Sequence, residues 1–145
     1  RLLDQFYQSW HESVESSEKL ILYKMIKTGF KMEQYILKNI NVKMLSLLRF
    51  GVLKLNMETG RYIKQRREDR ICKCCTMQCI ENEYHFIMVC PAYRQYRLKY
   101  FSKHYHTWPN INKLYSLLQV QTKTVIYNLM CFLRESWKLR TFILT

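Results

Sequence analysis

Four residues can do chemistry together: Cys72 and Cys75, separated by two positions, then His85 and Cys90. Zinc favours four sulfur or nitrogen donors in a tetrahedron, and a Cys-x-x-Cys pair places two thiolates on one tight turn. His85 and Cys90 must supply the second pair. They are five apart, so on an unbroken α-helix at about 100° per residue they would point about 140° away from each other. They can share a metal only if the helix breaks between them, and Pro91 supplies a reason for the break. It disfavours helical geometry at Cys90 and is suited to the first turn of a new helix. The spacing therefore predicts one Zn2+ held by Cys72, Cys75, His85 and Cys90. Four protein ligands leave no open coordination position, so the expected role is structural.

The chain has six cysteines, and Cys72, Cys74, Cys75 and Cys79 crowd into eight residues. Such crowding suits a metal in a reducing compartment better than a secreted disulfide framework, so an intracellular setting, cytoplasm or nucleus, is expected. Cys74 and Cys79 are surplus, and either could take the place of Cys75 in a rearranged site. Cys131 falls on an apolar stripe and reads as core. His104 and His106 flank Tyr105 without accompanying cysteines and read as solvated, and His11 supports no assignment.

The elements that must position these residues read as helices. The 145 residues are 48% hydrophobic, enough for the core of one domain, and only three glycines and two prolines leave few places for tight turns. An all-α fold with a central zinc-stapled loop is expected. Phe6, Trp10 and Val14, four apart, predict a helix over residues 4 to 15. Leu20, Tyr23 and Ile26 predict a second from Glu18 to Lys27, stopped near Gly29. A third short piece spans Glu33 to Lys38. Met44, Leu45, Leu47 and Leu48 mark another, ending near Gly51. Residues 52 to 62 alternate partly and contain Gly60, and read as extended or looped. Residues 63 to 80 read as a metal-tied loop. A helix follows Pro91 toward Ser102, and Ile111, Leu114, Tyr115 and Leu118 fit the next. A long last helix from about Thr122 carries Ile126, Leu129, Met130, Leu133 and Trp137. The organisation expected is one compact domain cut from a longer chain. Residues 1–62 form an N-terminal helical part, 63–100 the zinc-binding segment and 101–145 the C-terminal helices.

The formal charge is +13, and it is uneven: residues 1 to 30 carry four basic and four acidic groups, whereas Arg61 to Lys103 carry ten and four. In the last 25 residues Lys123, Arg134, Lys138 and Arg140 oppose only Glu135. A clustered positive field points to a polyanion, RNA or DNA ahead of a membrane surface. The candidate phosphate contacts are Lys64, Arg66, Arg67, Arg70, Lys73, Arg94 and Arg97, with Tyr62, Tyr93 and Tyr96 available to stack on unpaired bases. The competing reading is a zinc-stapled docking domain whose tyrosines are core or interface residues. No apolar run reaches the roughly 18 residues of a membrane span. The only aspartates are Asp4 and Asp69, and no Tyr-x-Asp-Asp string or glycine-rich phosphate loop exists. Polymerase or nuclease chemistry needs clustered carboxylates for two metal ions, so no catalysis is expected of this chain. Glu81 and Glu83, beside the metal ligands, read as charge balance and support.

A longer string adds a resemblance. Arg49-Phe50-Gly51, Leu53-Lys54-Leu55 and Glu58-Thr59-Gly60-Arg61-Tyr62 precede Cys72-Lys73-Cys74-Cys75. Glu81-Asn82-Glu83-Tyr84-His85-Phe86, Cys90-Pro91 and Arg97 follow. Over about 50 of the 145 residues this resembles the zinc-binding region found after the polymerase domain in reverse transcriptases of animal non-LTR retrotransposons. Cys74 and Cys79 are extra thiols that the family pattern does not require. The resemblance implies the C-terminal region of an element-encoded polyprotein, which helps hold template RNA or target DNA during target-primed reverse transcription. The polymerase region of the same parent chain would be its neighbour.

Overall fold

The computed structural model describes residues 1–27, 29–37 and 42–145, and these are helical with no strand. In order the helices are α1 (Leu2–Ser16), α2 (Ile21–Ile26), α3 (Gln34–Leu37), α4 (Lys43–Arg49) and α5 (Asn56–Tyr62). After the metal segment come α6 (Arg94–Tyr100), α7 (Lys103–His106), α8 (Ile111–Gln119) and α9 (Lys123–Leu144). The all-α expectation holds. The third expected helix is present as α3, and its expected last residue, Lys38, lies outside the described residues.

The long C-terminal helix organises the rest. At 1.5 Å per residue, the 22 residues of α9 span about 33 Å, and the helix packs against α4 and α6. Its buried face carries Ile126, Leu129, Phe132, Leu133, Ser136 and Arg140, while Met130 and Trp137 are half-buried at its edges. Phe132 meets Phe101 at 4.6 Å between ring centroids and Phe86 at 6.1 Å, and Phe86 meets Tyr93 at 4.8 Å. Edge-on and tilted contacts of this kind add to the burial of apolar area. Cys72 and Cys90 belong to the same cluster, so the candidate metal ligands are part of the core wall.

Two elements differ from the sequence reading. Within residues 52 to 62, expected to be extended or looped, Asn56–Tyr62 forms α5. Its first N–H groups are satisfied from far along the chain: Asn56 N–H donates to the Glu81 carboxylate at 2.7 Å and Met57 N–H to the Glu81 carbonyl at 3.0 Å. A negative side chain at a helix start is also favoured by the helix dipole. A cap supplied 25 residues away leaves no local signal. The second difference is α1, where the face of Phe6, Trp10 and Val14 buries only Val14; Phe6 is exposed, and Trp10 is half-buried against Phe30.

Gly51 ends α4 as the sequence suggests, and the geometry shows why glycine stands there. Its φ is +65, its N–H donates to Leu48 O at 3.0 Å, and the Val52 N–H donates to Leu47 O at 2.9 Å. This is a Schellman end, which needs a left-handed residue at that position. Gly51→Ala should lower stability by about 1 kcal/mol in denaturant titration. An unchanged midpoint would mean that the turn does not need glycine.

Candidate metal centre

Two local structures carry the four ligands. The first is a knuckle in which Ile71 and Ile80 form an antiparallel bridge, with Cys72 N–H donating to Cys79 O at 2.8 Å and Glu81 N–H to Arg70 O at 2.9 Å. Gln78, at φ +54, turns the chain back, and Cys72 and Cys75 face inward from the first arm and the tip. The second is a single wide turn over His85–Val89, closed by Cys90 N–H donating to His85 O at 2.7 Å. Asn82 starts it, its side-chain oxygen accepting from His85 N–H at 2.8 Å.

The expected break stands at Cys90, and the π-turn before it adds what the spacing did not show. An i to i+5 hydrogen bond widens the turn by one residue, so positions five apart lie nearly above one another. His85 and Cys90 thus converge through a π-turn, after which Cys90 adopts φ −52, ψ 120 and Pro91 starts a short 3-10 turn into α6.

The donor atoms of Cys72, Cys75, His85 and Cys90 all lie within 4.8 Å of one another, and the four could hold a metal ion. Cys72 Sγ and Cys90 Sγ are 3.9 Å apart, and Cys75 Sγ lies 3.4 Å from His85 Nε2. A tetrahedral ion with bonds of about 2.3 Å to sulfur and about 2.0 Å to nitrogen would separate its ligands by about 3.8 Å (S to S) and about 3.5 Å (S to N). The residues fit such an ion through Nε2 of His85. Cys72, His85 and Cys90 are buried and Cys75 is half-buried. The hydrogen bond between Cys72 and Cys90, followed by burial, pushes the Cys72 thiol up to about 12, and burial raises Cys75 as well. Without a cation these sulfurs keep their protons at neutral pH, and an ion must displace them to bind.

The surplus thiols are placed elsewhere. Cys79 Sγ donates to the Met77 carbonyl at 3.4 Å. Cys74 lies within 4.8 Å of Cys72 and Glu81 but outside the first group, beside the buried Tyr93 hydroxyl. That hydroxyl has no partner at hydrogen-bond geometry, and burial, then the Cys74 thiol, push its pKa up. Among the described residues it is therefore Cys75, and neither Cys74 nor Cys79, that completes the group of four. Cys131 is buried, as expected of core.

Glu81 fastens this centre to the scaffold. Its carboxylate is 1% exposed and receives Arg140 Nε and an Arg140 terminal nitrogen, each at 2.8 Å, besides the Asn56 N–H. Cys72 Sγ is 4.0 Å from Glu81 Oε1. Burial opposes the charge on Arg140, and the bond to Glu81 overcomes it, leaving the arginine pKa above its ordinary value. The sequence reading counted Arg140 toward a free positive field; the structure spends it inside. No local pattern pairs residues 59 apart.

The candidate phosphate contacts divide in the same way. Lys64, Arg67, Lys73 and Arg94 are exposed, and Arg66 is exposed but paired with Asp69 at 3.0 Å. Arg70 is half-buried, donating to Gln65 O and Met57 O. Arg97 is corrected to an interior role: it is 5% exposed and donates to the Cys90 carbonyl at 2.6 Å and the Val89 carbonyl at 3.3 Å. It thereby closes the end of the π-turn. Tyr93, fully buried against Phe86, is likewise unavailable for stacking, whereas Tyr62 is exposed and Tyr96 half-buried.

A charge signal also extends beyond the candidate contacts, of which it includes Arg94. From Tyr84 to Arg134 there is no Asp or Glu, while Arg94, Lys99, Lys103 and Lys123 are exposed and make no ion pair among the described residues. Counting runs of absent acids along the chain would have found it. Among the described residues no helix is long and apolar enough to cross a membrane. Comparison with family models, with curated proteins and with solved structures returned no match.

Proposed function

We propose that this chain is a nucleic-acid-binding module built on one structural Zn2+, and that it is the region following a retrotransposon reverse transcriptase, where it helps hold template RNA or target DNA. Three cysteine sulfurs and one imidazole, their donor atoms all within 4.8 Å of one another, favour zinc over harder cations, which prefer oxygen donors. A closed set of four ligands assigns the metal to folding, and thiolate ligation suits a reducing intracellular compartment. The observation that carries the nucleic-acid reading is charge: a net +13, with exposed cations standing unopposed along the acid-free stretch from Tyr84 to Arg134. A polyphosphate backbone is the partner class that such a field attracts most strongly.

A second reading keeps one observation of its own. Leu2, Leu3, Phe6 and Tyr7 are exposed on α1, and such a face suits docking against polypeptide, the polymerase region of the parent chain being the candidate. The two readings separate in salt. Binding of the zinc-loaded chain to a structured RNA and a matched DNA duplex, followed by fluorescence anisotropy from about 50 to 200 mM salt, should be tight at low salt and fall steeply as salt rises, because binding releases counterions. Absence of binding at the lowest salt would leave the docking reading.

The exposed loop provides a finer check. Arg66→Ala with Arg67→Ala should keep metal content and melting unchanged, weaken binding evenly across sequences, and reduce the salt slope by about 1 to 2. Equal affinity for the double variant and the wild type would take this loop off the contact surface.

A further inference from the structure

Trp108 is 86% exposed, more than any other large apolar side chain among the described residues, and its backbone lies at φ +50. A bulky residue in the left-handed region is uncommon and costs energy that glycine or asparagine would avoid. Solvent exposure of an indole brings no compensating burial. Strain of this kind persists only where the surroundings enforce it.

Those surroundings are well fastened. On one side Thr107 N–H donates to Lys103 O at 3.0 Å, and Lys113 Nζ donates to Thr107 O at 2.5 Å. On the other side the Tyr84 hydroxyl donates to the Pro109 carbonyl at 3.1 Å, and the Asn110 side chain caps α8 by accepting from Lys113 N–H at 3.0 Å. The loop joining α7 to α8 is pinned at both ends and holds the indole outward. Two residues before Trp108 and one after it, His106 and Pro109 line a cleft of about 270 Å³, together with Arg94, Leu98 and Met88. The cleft is small and mixed in character, and the exposed Arg94 belongs to its lining.

We propose that Trp108 is the stacking platform of a subsite for single-stranded nucleic acid, in which one unpaired base lies on the indole beside this cleft and the flanking phosphates meet Arg94 and Lys103. This rests on the nucleic-acid reading above and adds strandedness to it. Charge selects the polymer, since the loop lies in the stretch without an Asp or Glu. The flat aromatic selects single strands, because a base can stack on a side chain only when it has left its own helix. The acidic side chains of a polypeptide would satisfy the cations but offer the strained, outward indole no aromatic face, whereas every unpaired nucleotide brings one.

The test compares the zinc-loaded wild type with W108A and W108F on a short fluorescein-labelled single-stranded RNA and on an RNA duplex of the same sequence. W108A should bind the single strand about tenfold more weakly and the duplex unchanged, with W108F retaining most of the affinity. Indole emission should be quenched by the single strand in the wild type and not in W108A. If the wild type binds both probes and W108A binds the single strand equally well, the subsite is wrong while the nucleic-acid reading stands. Equal weakening of W108A on both probes also overturns the stacking role. If the wild type binds neither probe, both readings fall.

Discussion

Stripping the metal with a chelator at neutral pH is expected to abolish the cooperative melt of this domain. The gross binding free energy of a structural zinc site, about 10–16 kcal/mol, is comparable to the whole stability of a domain, about 5–15 kcal/mol. Here Cys72 and Cys90 stand in the same apolar cluster as Phe86, Tyr93 and Phe132, so losing the ion loosens the knuckle and the core together. Cys75→Ser and His85→Ala should therefore lose the metal and most tertiary structure, whereas Cys79→Ser, whose sulfur reaches only the Met77 carbonyl, should keep both. Metal content by mass spectrometry and near-UV circular dichroism read the two effects separately. A Cys75→Ser protein that keeps its metal and its melting curve would show that the ligand set is wrong.

The same centre fixes the sign of the pH response. With an ion bound the thiolate is the required form, although the neighbouring Cys90 thiol and burial favour the protonated Cys72, so the loaded protein is weakened by acid, which returns protons to the sulfurs. Loss of the metal and of the cooperative melt together as pH falls is the expected signature. A loaded chain as stable at pH 4 as at pH 7 would speak against thiolate ligation.

The second large effect is expected at the other end of the chain. Arg140→Met leaves the Glu81 carboxylate buried without its partner and should cost about 3–5 kcal/mol, a fall of about 10 °C or more in melting temperature. Metal affinity should fall as well, by about 10- to 100-fold, because Glu81 no longer holds its place beside Cys72 and the start of α5. Adding Glu81→Gln should recover much of the lost stability, since the amide carries no charge and can still accept from Asn56 N–H. A single variant that melts like the wild type, or a double variant no better than the single, would show that the pair does not hold α9 to the metal segment.

These expectations draw unequally on the sequence. That these four donors could come together was legible because metal-ligand spacing is local: two thiols with two residues between them on a turn, and an imidazole and a thiol just before Pro91. The apolar stripes of α4, α8 and α9 were legible for the same reason, since a helix repeats within a few residues. The break at Cys90 was legible from Pro91, whereas the π-turn before it was not, because nothing in the spacing shows the hydrogen bond from Cys90 N–H back to His85 O.

What the sequence by itself determined was the helical class, the four donors and the positive balance, each a property of residue type and short-range spacing. Tertiary structure decided which charges are spent and which remain. It put Arg140 on Glu81, 59 residues away, and Arg97 on the carbonyls that end the π-turn. It also started α5 with a carboxylate from the metal segment and left Trp108 outside. The physical reason is that a buried charge or an open helix end must find a partner, and the partner is chosen by packing in three dimensions, where distance along the chain carries no weight.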